Sequence, residues 1–167
     1  ATGHAYREIK KPVAGTVKVA IGATAIRSAD WSVVNTTGRV SFSADKTYPI
    51  TAISKANAAI ITIGANDLAV GQSVHVSGVV GMPEINGLRS LITARDASTI
   101  TVAINSSAFS TRVSGGIVHT AAQPGESVTA GFEFDFPVRF NTAMPIGQDY
   151  YSLRSVDGVE LIELLNP

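Results

Sequence analysis

The chain contains no cysteine, which excludes a disulfide framework, a thiol nucleophile and a thiolate metal site and fits synthesis in a reducing cytosol. It carries no excess of either charge: Lys plus Arg and Asp plus Glu are 13 each. With no basic run either, the electrostatic footprint of a nucleic-acid binder is missing. No apolar run approaches the roughly 18 residues of a membrane span, so no membrane insertion is expected, and the first residues are too polar for a signal peptide. No Met stands at position 1, which predicts a cut chain lacking an N-terminal part. A G-x-S-x-G elbow, a phosphate loop and a dinucleotide fingerprint are all absent. Aromatic residues are few, and from about Thr47 to about Thr120 only Tyr48 and Phe109 occur.

What is present is ordinary globular material, 45% hydrophobic and 16% charged, in a chain long enough for one domain or two small ones. The most organised stretch runs from Gly131 to Phe140. Phe132, Phe134, Phe136, Val138 and Phe140 alternate there with Glu133, Asp135, Pro137 and Arg139, a period of two that only a strand sorts onto opposite faces. The pattern predicts a long strand with its aromatic face buried, and Pro137 places it at a sheet edge or at a bend.

Along the chain, residues 1–12 read as a lead-in, 16–21 as a strand, and 31–35 with 39–43 as a hairpin turning at Gly38. Short aliphatic strands are predicted over 50–54, 59–63, 73–77, 88–94, 99–103 and 116–120, separated by turn-forming segments. The aromatic texture resumes at 127–140. A hairpin of 150–155 with 159–165 turns at Asp157-Gly158, with a helical turn as the alternative for the Leu161, Leu164 and Leu165 run.

The fold class expected is therefore all-β: a split β-sandwich or barrel domain, residues 1–48 and 121–167, with a second small β-barrel domain, residues 49–120, inserted at a hairpin tip. Such insertion costs little, because loop-closure entropy grows only logarithmically with length.

Candidate chemistry is sparse. Glu133 and Asp135 share a strand face and could form an acid/base pair, but alternating charge on a solvated face is the commoner meaning of the pattern. His4, His75 and His119 lack metal-ligand spacing and read as solvated or satisfied histidines. Trp31 reads as a core aromatic. No cofactor is expected. The Gly-rich segment 78–87 is a shaped loop, and Val79, Met82, Pro83, Glu84 and Asn86 are its candidate contact residues.

Three stretches, 6–19, Trp31-Ser-Val with 37–42, and above all Val128-Thr-Ala-Gly-Phe-Glu-Phe-Asp-Phe-Pro-Val-Arg-Phe140, resemble the C-terminal half of the distal tail proteins of long-tailed phages, prophages and phage-like gene transfer agents. Segments 71–87 and 114–118 are similar to a small β-barrel module of phage tail proteins, often likened to the first catalytic-cysteine half-domain of ubiquitin-activating enzymes. That likeness is of fold alone, since no cysteine is present. The resemblance implies a non-enzymatic component of a virion tail, made in the host cytoplasm, that contacts the tail tube and hub. It implies a ring oligomer only for the full-length protein, and a monomer or weak dimer for this part, whose aromatic stretch is expected to face inward. The alternative is a carbohydrate-binding module that recognises a host-surface glycan.

Overall fold

A computed structural model describes residues 12–135, 138–141, 146–148, 154–156 and 160–163. The lead-in up to residue 11, His4, the Phe136-Pro137 bend, the Asp157-Gly158 turn, and Leu164 with Leu165 lie outside the described residues. The described chain is all-β, and its largest element is a seven-stranded antiparallel sheet.

The first strands are β1 (Lys18–Ile21), β2 (Thr24–Ala25), β3 (Trp31–Val34) and β4 (Arg39–Phe42), with a 3-10 turn at Ser28–Asp30. β3 and β4 form the expected hairpin, and Gly38 takes φ 68° at its turn. Next come β5 (Thr47–Pro49), β6 (Ala52–Ile53), β7 (Ala59–Thr62), β8 (Ser73–Val80), β9 (Arg89–Arg95), β10 (Thr99–Val102) and β11 (Ser114–His119), with a second 3-10 turn at Pro83–Ile85. These seven strands make the large sheet, in the order β5-β11-β8-β9-β10-β7-β6. The chain continues through β12 (Val128–Gly131), β13 (Val138–Phe140), β14 (Ile146–Gln148), β15 (Arg154–Val156) and β16 (Leu161–Glu163).

The two outermost strands of the large sheet, β5 and β6, are consecutive pieces of one segment. Between them the Ile50 N–H donates to Gly116 O at 2.9 Å and the Thr51 N–H to Thr62 O at 2.8 Å, so neighbouring residues reach strands far apart in the sheet order. The sheet therefore curls until its two ends meet at Ile50 and Thr51. Arg112 holds the junction, its guanidinium donating to Ile50 O at 2.6 Å, Thr51 O at 2.7 Å and Gly115 O at 2.9 Å. Gly116, at φ 97°, is required there: a Cβ would stand 2.7 Å from Val79 Cγ2 and 3.1 Å from Ile50 Cδ1.

Alternation on these strands produces the core. β10 buries Ile100 and Val102 and points Thr99 and Thr101 outward, and β7 buries Ala59 and Ile61. With Leu68, Val74, Val76, Ile92 and Val118 they form one continuous apolar cluster under the curled sheet.

Outside that sheet the outcome differs from the sequence reading in three ways. The stretch 131–140 is not one continuous strand: β12 pairs with β1, Phe134 makes an isolated bridge to Pro12, and β13 pairs with β16. Nor is its aromatic face buried, since Phe132, Val138 and Phe140 are 40%, 46% and 47% exposed. Alternation buries a face only when a second layer stacks on it, and this tract passes between small sheets instead of crossing one broad layer. The expectation of an inward aromatic stretch is thereby corrected.

The second difference is in pairing. β15 pairs with β14, a strand the sequence reading missed, and β16 with β13, so two nested hairpins replace the one expected around Asp157-Gly158. Residues 161–163 are strand, as preferred over the helical turn. Third, β4 pairs with β3 and β12 with β1, so the strands flanking the large sheet are not the two arms of one hairpin.

Candidate functional site

The loop between β8 and β9 places its five candidate residues very differently. Val79 and Met82 are buried and belong to the core cluster. They are corrected from contact residues to packing residues, because the Pro83–Ile85 turn folds the loop back and drives Met82 and Ile85 inward. Asn86 serves the backbone: its Oδ1 accepts from the Val79 N–H at 2.8 Å and its Nδ2 donates to Val79 O at 2.9 Å. Glu84 accepts from the Ser110 N–H and hydroxyl at 2.9 and 2.7 Å. Pro83 and Glu84 are the exposed remainder of the loop's candidates that are not committed to the core or to holding Val79.

A denser concentration of polar groups lies where the chain enters and leaves the large sheet, at residues 43–47 and 119–127. Antiparallel register sets it up. His75 on β8 is the direct partner of Arg89 on β9 and of His119 on β11. Three basic side chains thus stand in a row across three adjacent strands, with the two imidazoles 6.3 Å apart.

The ends of the row are met by carboxylates from the two connecting segments. Arg89 makes a two-pronged pair with Glu126, Nε to Oε1 at 2.6 Å and Nη2 to Oε2 at 2.8 Å, and also donates to Ser73 Oγ at 3.0 Å and Ala121 O at 2.7 Å. Both partners are largely buried, at 5% and 13% side-chain exposure, the setting in which such a pair is strongly coupled. At the other end Asp45 lies 3.0 Å from His119 Nδ1 and accepts from the backbone N–H groups of Thr120 and Ala121, each at 2.8 Å. His75, in the middle, has no carboxylate of its own. It is buried, and its Nδ1 has no hydrogen-bond partner.

Charge follows from this geometry. Burial pushes the Asp45 carboxyl up, but hydrogen bonds from Ala121, His119 and Thr120 outweigh it and hold the group below the ordinary carboxylate value. Glu126 is likewise pushed up by burial and brought below its ordinary value by Arg89 and the Gln123 N–H. Burial holds the His75 imidazole below the ordinary histidine value of 6.5; Glu126 pulls the other way, and Arg89 adds to the depression.

Beside this cluster is a cavity of about 250 Å³ lined in part by Ile21, Ile26, Phe42, Arg27, Asp30 and Gln72. Its charged groups are already matched: Arg27 grips Asp30 at 2.7 and 2.8 Å, and Lys46 pairs with Asp67. Trp31 is half-buried with its indole N–H directed to Ile26 O at 3.4 Å, which fits its reading as a packing aromatic. Glu133 and Asp135 are exposed. Among the described residues no group of three or more His, Asp or Glu side chains is placed to hold a metal, and no helix is long and apolar enough to cross a membrane.

Sequence reasoning took His75 and His119 as unrelated, since 44 residues separate them; it missed Asp45, Arg89 and Glu126 as their neighbours. Only strand register brings these groups together, and register is not written in spacing. No family model and no curated protein sequence matches the chain.

Proposed function

We propose that the chain is a non-enzymatic structural component of a phage or prophage tail, the C-terminal part of a distal-tail-like protein, making assembly contacts with tail tube and hub. The observation that carries this reading is the Val128–Phe140 tract, where the resemblance to that family is most specific. Its Phe132, Val138 and Phe140 are exposed, as are Val128 on β12 and Leu161, the β16 partner of Phe140. Exposed aromatic and aliphatic side chains recurring along one tract are a feature of surfaces that another protein covers. In this reading the curled sheet of residues 47–119 is the small β-barrel module, an accessory unit projecting from the rim of the particle, and the ring is formed by the longer protein.

The test is co-purification of the chain with tail tube and hub proteins encoded beside it. A complex should form with at least one of them and be lost when Phe132 and Phe140 are changed to Asp. Failure to bind either, combined with binding of a surface polysaccharide from the host, would favour the carbohydrate-binding alternative. Glycan and peptide hydrolysis assays should stay at background, and turnover lost on changing Glu133 or Asp135 to Ala would contradict the structural role.

A further inference from the structure

Residues 43–47 and 119–127 are the two crossings between the large sheet and the strands outside it. Asp45 and Glu126 sit on those crossings, while Arg89, His75 and His119 sit on the sheet. The carboxylates therefore fasten the crossings to the row of bases. Asp45 also ties its own crossing to the other one through the Thr120 and Ala121 N–H groups, and the Lys46 N–H donates to Thr120 Oγ1 at 2.8 Å. These anchors converge within a few residues and, with the weaker contact of Gln72 Nε2 to Asp30 Oδ1 at 3.4 Å, hold the large sheet against the rest of the chain.

The weak point is His75. It is 7% exposed, its Nδ1 has no partner, and its cross-strand neighbours are a guanidinium on one side and an imidazole on the other. A proton placed on it would create a buried cation between Arg89 and His119, with Glu126 and Asp45 already engaged by those neighbours. The cost of desolvating that charge is relieved by letting water reach it, which lifting the crossings would do.

We propose that this cluster is an acid-released latch: it fixes the orientation of the large sheet at neutral pH and frees the sheet to reorient when His75 takes up a proton.

The sign follows from linkage. A base whose pKa is lower in the latched form than in the open one binds its proton preferentially in the open form, so latching is fully favoured above the ordinary value of 6.5 and weakens as pH falls below it. Asp45 and Glu126, held below their ordinary values, act in the same direction further down: their contribution is present above the ordinary carboxylate range and is lost as pH falls through their depressed pKa values.

Because the chain has no cysteine, two spin labels can be placed cleanly at Ser41→Cys and Ser98→Cys, exposed positions outside and inside the large sheet. The distance distribution between them should be narrow at about pH 7.5 and at least twofold broader at about pH 5, and His75→Asn or His75→Gln should keep it narrow at both. The proposal is overturned by a distribution that stays narrow at the lower pH, or by one that broadens equally in a folded His75 variant. Should neither variant fold, the His75 ring titration followed by NMR in the unsubstituted chain decides. A midpoint below 6.5 that coincides with the broadening supports the latch, and a midpoint at or above that value overturns it.

Discussion

The large sheet and the strands outside it draw on the same alternating pattern and reach opposite results. Fifteen of the eighteen buried hydrophobic residues among those described lie between Ile50 and Val118, in one cluster, and the other three are Val17, Val19 and Ile21 around β1. The strands of the sheet are almost free of aromatics, yet the curl brings their inward residues into one buried cluster. The tract from Phe132 to Phe140 has the strongest alternation in the chain and leaves Phe132 and Phe140 exposed. Period two selects which residues share a face. Whether that face is buried depends on a second layer, and in the strands outside the sheet we infer that another protein supplies it.

The contrast can be broken most forcefully at the tie between the two regions. Arg89→Met leaves Glu126 buried without its cation and should destabilise the chain by about 3–5 kcal/mol, whereas the double change Arg89→Met with Glu126→Leu should recover much of that loss. Chemical denaturation of the three variants measures both. A loss below about 1 kcal/mol for Arg89→Met would mean that the pair contributes as an exposed one does.

Next in size is the core of the sheet. Ile61 and Ile100 are both fully buried, and Ile61→Ala should cost about 2–5 kcal/mol by the same measurement. Gly116→Ala should cost about 1–3 kcal/mol, since its Cβ would meet Val79 and Ile50 at a positive φ. It would act where the two ends of the sheet meet. Phe140→Ala, at an exposed position, should shift the stability of the isolated chain by no more than about 0.5 kcal/mol. A shift as large as that of Ile61→Ala would erase the distinction between the regions.

Much of the β3–β4 hairpin and of the large sheet was legible in the sequence because their signals are local. The hairpin turning at Gly38, the Asp96 side chain accepting from the Ser98 and Thr99 N–H groups at 2.9 and 2.8 Å, and the Ile100/Val102 alternation all follow from neighbouring residues. β14 carries Gly147 between its apolar and amide residues and gives no periodic signal, so it was missed, and with it the nested pairing of β13 to β16. The row of Arg89, His75 and His119 was invisible for a different reason: it exists only once register aligns three strands. Val79 and Met82 misled because a Gly-rich segment suggests an exposed loop, while the 3-10 turn returns it to the core.

Hydrogen exchange of the chain, alone and mixed with the tail tube and hub proteins proposed to bind it, bears on the central claim most directly. The proposed assembly role predicts slow amides in β7, β8, β9 and β10 in both states, and amides over 128–134 and 138–140 that exchange faster than these in the free chain and slow in the complex. Protection of 128–134 and 138–140 in the free chain equal to that of β8 and β9, or no change there on adding either protein, would contradict it.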